Sequence, residues 1–243
     1  MKIDLNQKNI LVTGGTSELG SRLVRKLSAA GGKLFFTYHS QENKAGELIR
    51  EGAKGYRLDL SDCRQIDEAV KNLKNEIKSL DILIHNAAAV RDKTIQNLTE
   101  EDWDYVMAVD LKAPYYLTKQ TMSLLFKGTP PAKIFFITSR VGVLGGFGIS
   151  NYAAAKAGLI GLTKSLAQEL GKKKILVNAV NPGFMKSRMT EAIPENVIEA
   201  NLSVNPLHSW SNPDEVADFI LYLCSNHATQ ATGQVFHFEG RKI

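Results

Sequence analysis

Seven short runs of apolar, β-branched and aromatic residues punctuate this chain. They lie at 8–15 (KNILVTGG), 33–38 (KLFFTY), 53–60 (AKGYRLDL), 81–88 (DILIHNAA), 132–139 (AKIFFITS), 174–183 (KILVNAVNPG) and 234–240 (QVFHFEG). Between them run longer stretches with helical periodicity, at 19–32, 42–52, 63–80, 100–126, 151–170 and 214–225. In the 63–80 stretch, Ile66, Val70, Leu73 and Ile77 fall at helical spacing. Strands that are continuously apolar belong to a sheet covered on both faces. Strand–helix alternation adds right-handed crossovers, so the expected fold is α/β: a doubly wound parallel sheet of about seven strands with helices on both faces. The 243 residues contain no linker, repeat or low-complexity segment, and GTPPAK at 128–133 reads as a rigid turn inside one domain spanning 1–243. Ligands of such sheets bind beyond the carboxyl ends of the strands, where strand order reverses, so candidate chemistry is sought there.

Composition narrows the function classes. Thirty basic against 25 acidic residues give a net charge of +5, without the basic cluster of a nucleic-acid platform. The densest run, Lys172-Lys173-Lys174, reads as a solvated helix end whose cations suit the dipole. Cys63 and Cys224 stand far apart with no metal-ligand spacing, so neither a disulfide framework nor a zinc site is expected. The opening MKIDLNQKNILVTGG shows no leader pattern, and no apolar run approaches the roughly 18 residues of a membrane span. A cytoplasmic protein that binds neither membrane nor nucleic acid is expected.

The first run ends in VTGGTSELGS. Thr13, Gly14 and Gly20 place a glycine turn between a strand and a helix, where backbone N–H groups and the helix dipole meet a pyrophosphate. Gly14, Thr16, Ser17 and Leu19 are its candidate cofactor contacts. Asp59 and Leu60 close the third run, where Asp59 either accepts from an adenine amino group or serves as a turn carboxylate. Asn86 and Ala87 in HNAA end the fourth, with small residues against which a flat ligand or the sheet can lie. An acid closing the second strand would bind the ribose of NAD and repel the 2′-phosphate of NADP. Here Thr37-Tyr38-His39-Ser40 brings no acid until Glu42, which favours NADP with His39 and Ser40 near the phosphate. Glu18 opens the first helix, where a carboxylate suits the dipole, and it is expected to turn outward.

Tyr152 and Lys156 in YAAAK share one helix face near its start, and Ser139 ends the fifth run thirteen residues before Tyr152. A tyrosine serves as an acid–base group when its pKa falls from about 10 toward neutrality, and an adjacent ammonium favours that. Ser139 can hold a substrate oxygen beside the tyrosine hydroxyl.

With these residues the chain resembles the short-chain dehydrogenase/reductase family over essentially its whole length. Within that family it looks most like the 3-oxoacyl-[acyl-carrier-protein] reductases. The matching stretches include LVTGGTSELGSRL, NAAAVRDKTIQNLTEEDWDYVMAVDLKAP, ITSRVGVLGGFGISNYAAAKAGLIGLTKSLAQEL and ILVNAVNPGFMKSRMT. The resemblance implies a Rossmann-like fold that binds NADPH and reduces a ketone, most readily a 3-oxoacyl thioester on acyl carrier protein. Ser139, Tyr152 and Lys156 would be catalytic. Tyr152 would protonate the carbonyl oxygen, and Lys156 would lower its pKa and hold the nicotinamide ribose. Pro182, Gly183, Met185 and Ser187 would border the nicotinamide, and 184–210 would form a small substrate lid with Met189, Ile193, Leu202 and Trp210. Lys127 and Lys173 lie near positions where similar reductases carry basic residues that dock an acidic carrier, and a homotetramer packed through 100–126 and 151–170 is implied. Three positions depart from the family pattern: Glu18 and Ala88 stand where it has glycines, and Asp110 where it has the asparagine of a catalytic tetrad. Asp110 is expected to shift the pH profile through Lys156. The rival readings are an NAD(P)-dependent dehydrogenase of a small alcohol, sugar or cyclic ketone, and a non-catalytic nucleotide-binding relative.

Overall fold

The computed structural model describes residues 3–191 and 193–241; Ala192, inside the expected lid, and the two residues at each end lie outside this description. Its sheet contains β1 (Asn9–Val12), β2 (Lys33–Tyr38), β3 (Lys54–Arg57), β4 (Ile82–His85), β5 (Ala132–Ile137), β6 (Ile175–Asn181) and β7 (Val235–His237). The spatial order is β3-β2-β1-β4-β5-β6-β7, and every neighbouring pair is parallel. Strand order therefore reverses between β1 and β4, which fixes the crevice for a ligand.

Helices α1 (Glu18–Ala29), α2 (Glu42–Arg50) and α9 (Pro213–Cys224) cover one face, while α3 (Cys63–Glu76), α5 (Ala113–Leu125) and α7 (Ser150–Leu170) cover the other. Alternation along the strands feeds both layers: Ile10 and Val12 pack with the first layer and Leu11 with the second. β4, β5 and β6 are buried throughout, as their unbroken apolar sequences require. Each fully buried Leu, Ile or Phe contributes about 1.5–3 kcal/mol by leaving water. One cation interrupts the β5 run for a reason. Buried Lys133 donates to the carbonyls of Leu223 (2.7 Å), Ser225 (2.5 Å) and Ala228 (2.9 Å), satisfying the end of α9.

Polar side chains mark the helix starts. Ser17, Asp62, Thr99 and Asn212 each accept a first-turn N–H, and Pro213 follows Asn212 at the first position of α9. Lys172 and Lys173 lie in a short 3₁₀ turn between α7 and β6, exposed as expected of a helix end. Two expectations need correction. The third strand ends at Arg57, because β3 is a half-exposed edge and the chain turns at Asp59–Asp62. The 100–126 stretch is not one α-helix: α4 (Glu100–Met107) gives way to a π-helical segment, Ala108–Lys112, before α5. Pro114 has no N–H to offer the carbonyl four residues back, that of Asp110, and the widened turn lies just before it. Two further helices, α6 (Val141–Leu144) and α8 (Glu195–Ser203), follow β5 and β6.

Candidate active site

The glycine loop is built around β1, β2 and β4. Gly15 N–H donates to Thr37 O (2.9 Å), and Thr13 Oγ1 accepts from the N–H groups of Asn86 and Ala87 (3.0 Å each). The Asn86 amide donates to Thr13 O, Gly14 O and Ser17 Oγ, each at 3.0 Å, so its side chain holds the loop. Gly14 sits at φ +66°, where a Cβ would lie 2.8 Å from Ala87 Cα, so this turn admits only glycine. Ser17 Oγ takes the Gly20 N–H. That leaves the first-turn N–H groups of Glu18 and Leu19 without an intrahelical acceptor, as at any helix start.

Glu18 does not close this loop. Its carboxylate bonds Arg22, one helical turn on, and Arg22 Nε in turn donates to Asp214 (2.9 Å) at the start of α9. The acid is thus directed along α1 toward α9, as expected.

At the end of β2, Thr16 Oγ1 donates to Ser40 O (3.4 Å), joining loop and strand end. His39 is exposed, with Nε2 4.0 Å from Asp59. Asp59 accepts from Ser61 N–H (2.8 Å), so it has the turn-carboxylate geometry. Leu60 lines a small space beneath the crevice with Thr13, His85 and Ala87. His85 itself stacks on Phe136 (4.9 Å between ring centroids), with Nε2 2.8 Å from Thr118 Oγ1. Burial pushes its pKa down to about 3, so it stays neutral.

The reacting groups meet where α7 passes the end of β5. Lys156 is fully buried, with Nζ 3.0 Å from Asp110 Oδ2, 3.3 Å from Ile137 O and 5.2 Å from the centre of the Tyr152 ring. Asp110 is also fully buried; its other oxygen accepts from Ala89 N–H (2.7 Å), tying the π-helical segment to the end of β4. Burial opposes the charge on Lys156, but the Asp110 carboxylate beside it raises its pKa, so it remains an ammonium. Ser139, just beyond β5, stands close enough to the Tyr152 hydroxyl to lower its pKa. Ser139, Tyr152, Lys156 and Asp110 are thus brought together from three segments: the end of β5, α7 and the π-helical turn.

One electrostatic expectation is corrected. The Tyr152 pKa is raised above its ordinary value rather than lowered. Burial is the largest cause; Lys156 and Ser139 pull it down, while Asp110 and Asp92 push it back up. Tyr152 is therefore a protonated phenol at neutral pH, suited to giving a proton.

Two residues that support the site escaped sequence reasoning. Asn151, fully buried beside Tyr152, donates to Arg91 O (3.1 Å). Its Oδ1 accepts from Tyr152 N–H (2.8 Å). Asp102 bonds Lys93 (2.6 Å), Thr99 Oγ1 (2.7 Å) and Arg91 (3.4 Å), anchoring the loop after β4. The hydrogen bond from Lys93 holds its carboxyl well below the usual range. A signal was present: Thr99-Glu100-Glu101-Asp102 has capping-box spacing. Beyond β6, Pro182 is buried and Gly183 turns at φ +80°. Met185 and Ser187 follow, half-buried, in a segment braced by Phe184 stacking on Trp210 (4.3 Å). Among the described residues no His, Cys, Asp or Glu cluster could hold a metal ion, and no helix is long and apolar enough to cross a membrane.

Comparison with known proteins agrees with this geometry. The family model described as "Enoyl-(Acyl carrier protein) reductase" matches residues 14–240. The 3-oxoacyl-[acyl-carrier-protein] reductase FabG of Aquifex aeolicus is 36% identical over 99% of both chains. Its namesake from Thermotoga maritima is 37% identical over 97% of this chain and 98% of that one. Among solved structures, the Pseudomonas aeruginosa RhlG/NADP active-site complex superposes with TM-score 0.91 at 27% identity, covering 98% of this chain and 97% of that one. A short-chain dehydrogenase from Burkholderia cenocepacia in complex with NADP gives 0.89 at 26% identity, covering 98% of each. With its crevice at the β1/β4 reversal and Ser139, Tyr152 and Lys156 assembled beside it, the chain belongs to the short-chain dehydrogenase/reductase family, most like its 3-oxoacyl-[acyl-carrier-protein] reductases.

Proposed function

We propose that this protein is an NADPH-dependent reductase of 3-oxoacyl thioesters carried on acyl carrier protein. The observation that carries the reading is the set formed by buried Asp110 and Lys156 with half-buried Tyr152 and Ser139 beside the glycine loop. The residues present fit the cofactor: Gly14 admits no side chain, Glu18 is turned to Arg22, and two first-turn N–H groups remain for a pyrophosphate. Thr16, Ser40 and His39 would border the adenosine end, together with Asp59, Leu60 and Ala87. Met185 and Ser187 would border the nicotinamide.

When bound, NADPH supplies the hydride. Ser139 and Tyr152 present two hydroxyl groups to one carbonyl oxygen, which polarises the ketone and fixes its orientation. Tyr152, protonated at neutral pH, gives its proton to that oxygen as the alcohol forms. Lys156, kept as an ammonium by Asp110, stabilises the phenolate left behind. The matching family model is described as an enoyl reductase whereas the relatives are 3-oxoacyl reductases, and this hydroxyl pair suits a carbonyl oxygen better than a carbon–carbon double bond.

Phe184, Met189, Leu202 and Trp210 give the 184–210 segment an apolar character fitting an acyl-chain lid. Lys127 and Lys173, both exposed, suit an acidic carrier. Exposed Trp103, Tyr115 and Phe126 on the 100–126 stretch, and Gly161 of α7 facing open space, support a homotetramer; Gly158 instead packs on Leu111 within the chain. A cytoplasmic location accords with the reaction.

Fluorescence titration with NADPH and NADH tests the cofactor. Saturable binding that prefers NADPH is expected. Binding of neither would show that Glu18 or the loop excludes a dinucleotide and would remove the reductase reading.

A further inference from the structure

The end of β2 lacks the acid that would select NAD, yet its own sequence also brings no arginine for a 2′-phosphate. The nearest cation along the sheet, Arg57 at the end of β3, is already bonded to Glu42 (2.6 Å). His39 lies near Asp59. A cation reaches this corner from elsewhere in the chain. Gln41, just beyond β2, adopts a left-handed conformation (φ 64°) and turns its amide toward the glycine loop. Oriented so that both amide atoms are satisfied, it donates to Thr16 O (3.1 Å) and accepts from Arg188 Nη1 (3.2 Å). The glycine loop, the end of β2 and the segment after Gly183 thus converge on one point.

Arg188 is held there by its own turn. Ser187 N–H donates to Thr190 Oγ1 (2.9 Å), and Thr190 Oγ1 donates to Ser187 O (2.9 Å) and Met185 O (3.3 Å). The side chain is exposed and, among the described residues, has no carboxylate partner within ion-pair distance. Its one hydrogen bond to a neutral amide leaves most of the five guanidinium donors free. Such a fork matches a phosphate in geometry and charge. The corner between the first glycine turn and the end of the second strand is where a dinucleotide's adenosine ribose is read in a doubly wound sheet.

We propose that Arg188 selects the 2′-phosphate of NADPH, reaching the adenosine corner from the segment that follows β6. This rests on the reading that NADPH is the cofactor. It differs from a contact with the pyrophosphate, which NADH also carries, because Gln41 places the guanidinium beside the ribose-reading position.

The test is a fluorescence titration of wild type, Arg188→Gln and Arg188→Lys with NADPH and NADH, at low and high salt. Arg188→Gln should weaken NADPH binding by about tenfold, as expected for one charge-assisted phosphate contact, and leave NADH binding unchanged. Arg188→Lys should recover part of the loss, and the gap should narrow as salt screens it. An equal loss for both cofactors, or an unchanged NADPH affinity, would overturn the assignment while leaving the reductase reading intact. A wild type that binds neither cofactor or prefers NADH would fail before any variant is compared, and would remove both.

Discussion

Tyr152→Phe is expected to lower kcat for thioester reduction by about 10³-fold, within the range of positioned general acids. NADPH affinity should stay unchanged, because the variant removes only the hydroxyl that donates the proton. Ser139→Ala, which deletes one hydrogen bond to the substrate oxygen and no proton, should lose less. Single-turnover kinetics separates chemistry from binding and release, and the loss should appear in the chemical step. The phenol enters the reaction protonated because burial outweighs the pull of Lys156 and Ser139. A Tyr152→Phe variant with near wild-type turnover would place the proton donor elsewhere.

The second large effect concerns stability. Lys156 and Asp110 form an ion pair hidden from solvent, with Nζ 3.0 Å from Oδ2. Lys156→Met would leave a buried carboxylate without its partner, and breaking such a pair costs about 3–5 kcal/mol. For a chain of this size that is a fall of about 10 °C in the midpoint of thermal unfolding. Asp110→Asn combined with Lys156→Met should regain much of that stability and none of the activity, since no ammonium remains to stabilise the phenolate. Wild-type stability in the Lys156→Met variant would contradict the pairing. Asp110→Asn alone has a kinetic signature. The Asp110 carboxylate raises the Tyr152 pKa, and reduction needs the protonated phenol, so rate falls as pH rises through that pKa. Removing the charge lowers the pKa, and the alkaline limb of the pH–rate profile should move to lower pH. An unmoved limb would mean that Asp110 does not act on Tyr152 through charge.

Much of this architecture is legible in the sequence because parallel strands buried on both faces cannot hide. Runs such as KIFFI and ILVNAV have no polar face, and β5 and β6 are buried from end to end. The positions of Ser139, Tyr152 and Lys156 follow from the same logic, since a strand end and the start of the next helix meet at one edge of the sheet. What stayed hidden depends on contacts between distant segments. The π-helical turn at Ala108–Lys112 looks like ordinary helix in composition, although Pro114 marked its end. Asp102 and Asn151 look like surface polar residues until the fold packs the loop after β4 against them. The sign of the Tyr152 shift was misjudged because sequence places Lys156 one turn away but says nothing of how deeply the ring is buried or of the charge on Asp92. Arg188 could not be matched to the end of β2 without the fold that brings Gln41 to it.

The measurement that tests the central claim most directly is product analysis of the wild-type protein with NADPH and a 3-oxoacyl thioester on acyl carrier protein. The account predicts consumption of NADPH in equal amount to 3-hydroxyacyl thioester formed, abolished by Tyr152→Phe. NADPH that binds but is never consumed, with any 3-oxoacyl thioester offered, would contradict it.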